Sequence, residues 1–179
     1  VNSIGCILET KITYENKLVS KTIVVPQNGK ESIVVRLDEA VLGCWNIVED
    51  LAWTPETPRL FDVEFNLKED GSLLDKVESY FGMRKVSIEN GRFLLNNRPY
   101  YQKLLLDQGY WPEGLLTAPC DDAFVNDILL AKRMGFNGVR KHQKVEDPRF
   151  LYHADRMGFL VWGEIGTGYT YSRRLAKST

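Results

Sequence analysis

The sequence predicts a β-sandwich followed by a parallel α/β unit, and three observations predict it. Through roughly the first 85 residues, apolar side chains alternate with polar ones between turn-forming residues, the period of half-buried strands. From about Gly91 onward, helix-period segments alternate with short apolar runs instead. The tripeptide Met-Gly-Phe occurs at 134–136 and again at 157–159, each time where a helical pattern gives way to an apolar run.

In the first region Ile4, Cys6, Leu8, Ile12 and Tyr14 share one parity, with Glu9 and Lys11 on the other. Ile33, Val35 and Leu37 repeat this against Arg36. Phe61, Val63, Phe65 and Leu67 do so most cleanly, against Asp62, Glu64 and Asn66. Turn chemistry separates the runs at Glu15-Asn16-Lys17, Asn28-Gly29, Pro55 to Pro58 and Asp70-Gly71. Each strand is expected to give one face to a shared core, and the sandwich to lack about one strand at its front.

In the second region Phe93 to Pro99 reads as a hairpin turning at Asn96-Asn97, and Tyr100 to Leu106 as a strand buried on both faces. Asp121 to Met134 is a helix with Phe124, Ile128 and Ala131 on one side and Gly135 as its stop. Phe136 to Arg140 is a strand. A second helix opens at Asp147-Pro148, carries Phe150, Leu151, Ala154 and Met157, and stops at Gly158; Phe159 to Trp162 is a third buried strand. Strand–helix–strand–helix–strand order implies parallel strands with right-handed crossovers. A doubly wound sheet and a barrel both begin this way, and periodicity does not choose between them.

Composition narrows the function classes. Of the 179 residues 44% are hydrophobic and 26% charged, and the net charge is −1, the balance of a globular chain. No basic block suggests nucleic acid, and Arg173-Arg174 reads as a solvated tail. No apolar run approaches the ~20 residues of a membrane span, and Val1 to Gly5 carry no signal-peptide pattern. Cys6, Cys44 and Cys120 have no metal-ligand spacing and an odd count, so they are expected as buried or half-buried thiols. No cofactor or metal is expected, and no phosphate-binding loop, zinc motif or nucleophile elbow is present.

The polar residues that fall just past the three expected strands are Asp107, Arg140 with His142, and Glu164. Parallel strands open their carboxyl ends on one side, so these groups are expected to converge there. Trp111 follows in the first loop, and carboxylates, an arginine and an indole suit a sugar. Each has a structural reading beside the functional one. Asp107 caps a loop, Arg140 and Glu164 pair with each other, His142 is a surface histidine. Trp162 is expected in the core, and Trp53, in the proline-rich turn, as a structural residue.

Taken together, the segments Trp53-Thr-Pro-Glu-Thr-Pro-Arg-Leu-Phe61, Phe81-Gly-Met-Arg84 and Phe93-Leu-Leu-Asn-Asn-Arg-Pro99 resemble glycoside hydrolase family 2, the β-galactosidase and β-glucuronidase family. Asp127 to Arg140 and Asp155 to Glu164 look like that family's second and third barrel strands. The resemblance implies an immunoglobulin-like sandwich over 1–86 and the opening, truncated portion of a (β/α) TIM-barrel over 87–179. It implies a retaining glycosidase with two glutamates about 5 Å apart. In the family the acid/base glutamate follows the fourth strand in an Asn-Glu pair, and the nucleophile lies at the seventh. No residue here is therefore expected to be a catalytic carboxylate, and the polypeptide alone is expected to be inactive. Asp107, Arg140, His142, Glu164 and Trp111 are expected to bind substrate or support the site. Arg140-Lys-His-Gln-Lys144 departs from the family's Arg-Thr-Ser-His, and Asn97 stands for its hairpin glycine.

The expected partner of the parent enzyme is a carbohydrate, with self-association of the fragment through its open strand edges. A non-catalytic carbohydrate-binding or spacer module is the alternative from another class. A complete small α/β enzyme of unrelated chemistry is the third.

Overall fold

The computed structural model describes residues 6–25, 32, 34, 35, 37, 42, 43 and 50–166. Ile4, Ile33, Arg36, Asn28-Gly29, Cys44 and Arg173-Arg174 lie outside them. The chain forms two compact units, Val1–Tyr100 and Tyr101–Thr179. The sequence places the change at 86/87; in the structure the hairpin that follows belongs with the first unit.

The first unit is built on a four-stranded antiparallel sheet of order β2-β1-β3-β4, comprising β1 (Cys6–Tyr14), β2 (Lys17–Val24), β3 (Phe61–Glu69) and β4 (Ser72–Phe81). Its hairpins turn where the sequence places them. Glu15 and Asn16 have φ of 48° and 63°, and Asp70 and Gly71 have 48° and 81°, so each tight turn has two left-handed central residues. Ile12, Phe61 and Val63 share one face and are buried with Leu51, while Val35 and Leu37 pack on the same cluster. Phe61 stacks on Phe81 with centroids 4.9 Å apart. The described residues thus supply one sheet and the cover of its apolar face, which is as far as they take the sandwich.

The polar face of this sheet is not simply solvated. Glu9 is only 4% exposed and Asn66 also 4%. Lys21 reaches Glu9 at 2.7 Å from β2 and Lys68 reaches it at 3.0 Å from β3. Lys11 and Lys76 hold Glu64 at 3.1 and 2.9 Å, and Asn66 donates to it at 2.6 Å. The aliphatic stems of these lysines cover the carboxylates they neutralise. Hydrogen bonds from Lys21 and Lys68 bring the Glu9 carboxyl down to about 2, and those from Asn66, Lys76 and Lys11 do the same for Glu64.

The unit also contains a three-stranded antiparallel sheet, with β5 (Val86–Glu89), β6 (Arg92–Leu95) and β7 (Arg98–Pro99) in sequence order. Asn96 and Asn97, with φ of 51° and 63°, make the turn assigned to them. Trp53, expected as a structural residue, is buried at 2% exposed, with the Arg84 guanidinium over its ring.

The second unit is a parallel sheet of order β10-β9-β8: β8 (Leu104–Asp107), β9 (Gly138–Lys141) and β10 (Leu160–Gly163). The helices α1 (Asp121–Arg133) and α2 (Pro148–Met157) connect them. Asp147 caps α2, its side chain accepting from the Arg149 amide, and Gly158 ends the helix at φ 67°. Phe124, Ile128, Ala131, Val139, Phe150, Ala154 and Phe159 form the core.

Several expectations fail here. Helices cover one face of this sheet, while side chains toward the carboxyl end of the other face stand in solvent. Leu106 is 55% exposed and Trp162 47%, so the first and third strands are not buried on both sides and Trp162 is not core; Leu151, on α2, is separately exposed at 41%. The first strand is also shorter than Tyr100 to Leu106, and Tyr101 is 81% exposed. Cys120, expected to be at least half buried, is exposed, whereas Cys6 is buried. Among the described residues no helix is long and apolar enough to cross a membrane.

Candidate functional site

Register decides where each strand-end side chain goes. Leu104, Gly138 and Leu160 are aligned across the three strands, as are Leu106, Arg140 and Trp162 two residues on. Gly138 marks this face as tightly packed at its start. A Cβ there would meet Leu104 Cδ2 and Leu160 Cβ, both at 2.7 Å. The alternate rows, Leu105–Val139–Val161 and then Asp107–Lys141–Gly163, face the helices. Arg140 and Lys141, adjacent in sequence, therefore serve opposite sides of the sheet.

On the exposed side the Arg140 Nε donates to Glu164 Oε1, and the Gln143 amide donates to Glu164 Oε2 at 3.2 Å. The Arg140 bond above all, with help from the Gln143 amide and His142, holds the Glu164 carboxyl below its ordinary range against partial burial.

On the helix side Lys141 is 1% exposed. Its Nζ contacts Asp107 Oδ2, lies 2.7 Å from Glu146 Oε2, and sits 3.9 Å from the centre of the Phe150 ring. Lys144 reaches Glu146 at 2.9 Å and donates to the carbonyls of Gly109 and Leu116. Asp107 Oδ1 accepts from the Gly109 amide at 2.6 Å. At φ 66°, Gly109 passes so close to Lys144 and Glu146 that a side chain has no room. Burial raises the Glu146 carboxyl, but Lys141, the Asp147 amide and Lys144 leave it lowered on balance. Burial, with Asp107 and Glu146 nearby, pushes the Asp127 carboxyl of α1 up.

The expected site residues thus meet at one end of the sheet in two sets rather than one. Arg140 and Glu164 are brought together. Asp107 is held by Lys141 at the end of one outer strand, while Glu164 follows the other. His142 joins the loops: its Nδ1 lies 2.9 Å from Gln108 Nε2, and its amide donates to the Asp107 carbonyl. Trp111 packs against the core, its ring edge-on to Phe124 with centroids 6.0 Å apart. Lys141, Lys144, Glu146 and Asp127 were not singled out in the sequence. A lysine closing an apolar strand one place after Arg140 was the available signal, since strand alternation buries one of the two. Among the described residues no cluster of acids, histidines and cysteines is arranged to hold a metal.

Fold and site define a modular chain, an antiparallel β unit followed by a parallel α/β unit with its polar groups at the carboxyl ends of the strands. Residues 6–84 match the model of glycosyl hydrolases family 2. A β-galactosidase of Photobacterium profundum is 29% identical over 144 residues, 80% of this chain and 14% of that protein. One from Vibrio vulnificus is 32% identical over 138 residues, 72% of this chain and 13% of that protein. The crystal structure of Parabacteroides merdae β-glucuronidase superimposes on 90% of this chain and 19% of its own, with a TM-score of 0.75 at 18% identity. The chain is thus similar to glycosyl hydrolases family 2 in sequence over residues 6–84, and to a β-glucuronidase structure in fold over most of its length. It spans about 13–14% of the length of these two β-galactosidases.

Proposed function

We propose that this chain contributes the opening strands of a (β/α)-barrel, and an immunoglobulin-like sandwich before it, to a retaining glycosidase of the β-galactosidase or β-glucuronidase kind. The observation that carries this is Arg140. It stands on the exposed face of the central parallel strand, at its carboxyl end, with its guanidinium oriented by Glu164. In a closed barrel that face lines the interior, and groups at its carboxyl end stand at the rim where the site is built.

In this reading Arg140 presents N–H donors to substrate or to a catalytic carboxylate, and Glu164 sets its direction. Asp107 and Trp111 shape the loop after β8, and His142 ties that loop to the one after β9. Neither hydrolytic carboxylate is assigned, and the sequence contains no Asn-Glu dipeptide. The 179-residue polypeptide by itself is therefore expected not to cleave aryl β-galactosides or β-glucuronides, and turnover that copurifies with it overturns that. Within a polypeptide that carries the rest of such a barrel, Arg140→Gln is expected to lower kcat/KM by about 100-fold. Unchanged kinetics would remove Arg140 from the site. The outer strands β8 and β10, with Leu105, Leu106 and Trp162 exposed, are expected to drive self-association of the isolated polypeptide. Light scattering that shows a monomer at high concentration refutes this.

A further inference from the structure

A second concave site lies in the first unit, formed by the loop after Leu51, the segment leaving β4 and the β6–β7 hairpin. The cleft has a volume of about 790 Å3, within the ~300–1,000 Å3 of ordinary ligand clefts. Four cations, Arg59, Arg84, Lys85 and Arg98, line it against a single carboxylate, Glu56. Glu56 already accepts from the Tyr100 hydroxyl at 2.7 Å.

Two of the cations are held in place without being neutralised. Arg84 lies 5.1 Å over the Trp53 ring, and Lys85 donates to Asn97 Oδ1 at 2.7 Å. The floor beneath them is fixed: Asn96 Nδ2 donates to the Trp53 carbonyl, its Oδ1 accepts from the Lys85 amide, and the Trp53 amide bonds the Met83 carbonyl. Among the described residues no ion pair joins any of the four to a carboxylate, although the lysines on the neighbouring sheet face pair with Glu9 and Glu64. Like charges gathered in a concavity focus an attractive potential for anions, and arginine offers planar, bidentate donors to oxyanions. Thr54 and Thr57, whose hydroxyls bond each other at 2.9 Å, and the Asn97 side-chain amide also line the cleft and add polar groups of the kind that meet sugar hydroxyls.

We propose that this cleft binds an acidic oligosaccharide through its carboxylate or sulfate groups. The anion requirement stands on the cleft alone; the sugar rests on the glycosidase reading.

The test is calorimetric titration of the 179-residue chain with oligogalacturonate, a sulfated oligosaccharide, a neutral galacto-oligosaccharide and polyglutamate. At least one acidic oligosaccharide is expected to bind, with affinity falling as salt rises, and the comparison of the two identifies the oxyanion. Arg98→Gln, at an exposed hairpin position, is expected to weaken binding about tenfold, and Arg84→Gln at least as much. If Arg84→Gln unfolds the unit, Arg98→Gln with Lys85→Gln decides. Arg140→Gln, in the other unit, is expected to have no effect, so binding here can survive failure of the glycosidase reading. Failure of both acidic sugars to bind, equal binding of the neutral sugar or of polyglutamate, loss on Arg140→Gln, or no loss on Arg98→Gln would each overturn the proposal.

Discussion

Both units bury a charge among opposite charges, but with the roles reversed. In the first, a carboxylate sits in the middle: Glu9, central on β1, receives Lys21 and Lys68 from the two flanking strands. In the second, an ammonium sits in the middle: Lys141 receives Asp107 and Glu146 and lies on the Phe150 ring. The first arrangement is roofed by flexible lysine stems, each with water on its other side. The second is closed by a helix and an aromatic ring. The difference teaches that the cost of removing a buried charge depends on whether its surroundings can move to admit water.

The largest expected effect comes from Lys141→Met, which leaves two carboxylates facing each other under α2. Breaking a buried pair from one side costs about 3–5 kcal/mol, and chemical denaturation of the second unit reads it directly. Adding Glu146→Leu to that variant should recover part of the loss, because the uncompensated anion goes too. If Lys141→Met shifts the transition by less than about 1 kcal/mol, water reaches the cluster and the contrast between the two units collapses.

Acid titration tests the other side of the comparison. The folded Glu9 and Glu64 carboxyls stand at about 2, against an ordinary 4.5. A depressed carboxyl stabilises the fold fully above its ordinary value, and that contribution disappears as pH falls toward the folded one. The first unit is therefore expected to lose stability between about pH 4.5 and 2. Glu9→Gln with Glu64→Gln should flatten that slope. Parallel pH profiles for wild type and double variant would show that these two groups do not carry the acid response.

The smallest effect on stability is expected at the exposed pair. Arg140→Gln should leave the unfolding midpoint unchanged, because exposed ion pairs contribute little. The same change should raise the Glu164 carboxyl toward its ordinary range, since the Arg140 hydrogen bond is the main cause of its depression. Carboxyl-carbon NMR titration distinguishes the outcomes. A stationary Glu164 would transfer the cause to the Gln143 amide.

Much of this was legible in the sequence because it is local. The Asp147-Pro148 start and Gly158 stop of α2 are written in adjacent residues, as are the Glu15-Asn16 and Asp70-Gly71 turns. The apolar parity of Ile12, Phe61 and Val63 identifies the face that is buried. What was not legible depends on neighbours far along the chain. Glu9 reads as a solvated charge until Lys21 and Lys68 are known to flank it. Lys141 is passed over in favour of Arg140, since residue type alone does not say which of two consecutive cations points beneath the helices. Tyr100 to Leu106 looks buried on both sides because composition reports apolarity, whereas exposure depends on which layer lies opposite.

The dipeptide Arg140-Lys141 has one further consequence. A strand that sends consecutive cations to opposite layers tolerates substitution better than it tolerates a change of length. Deleting one residue between Gly135 and Val139 would turn the guanidinium into the apolar slot of Val139 beneath the helices, and move the ammonium to the open face beside Glu164. Composition and net charge would be nearly untouched, yet both clusters would be dismantled at once. Single-residue indels in this strand are therefore expected to be far more damaging than any one replacement, and an insertion is tolerable only with a second, compensating shift before Arg140.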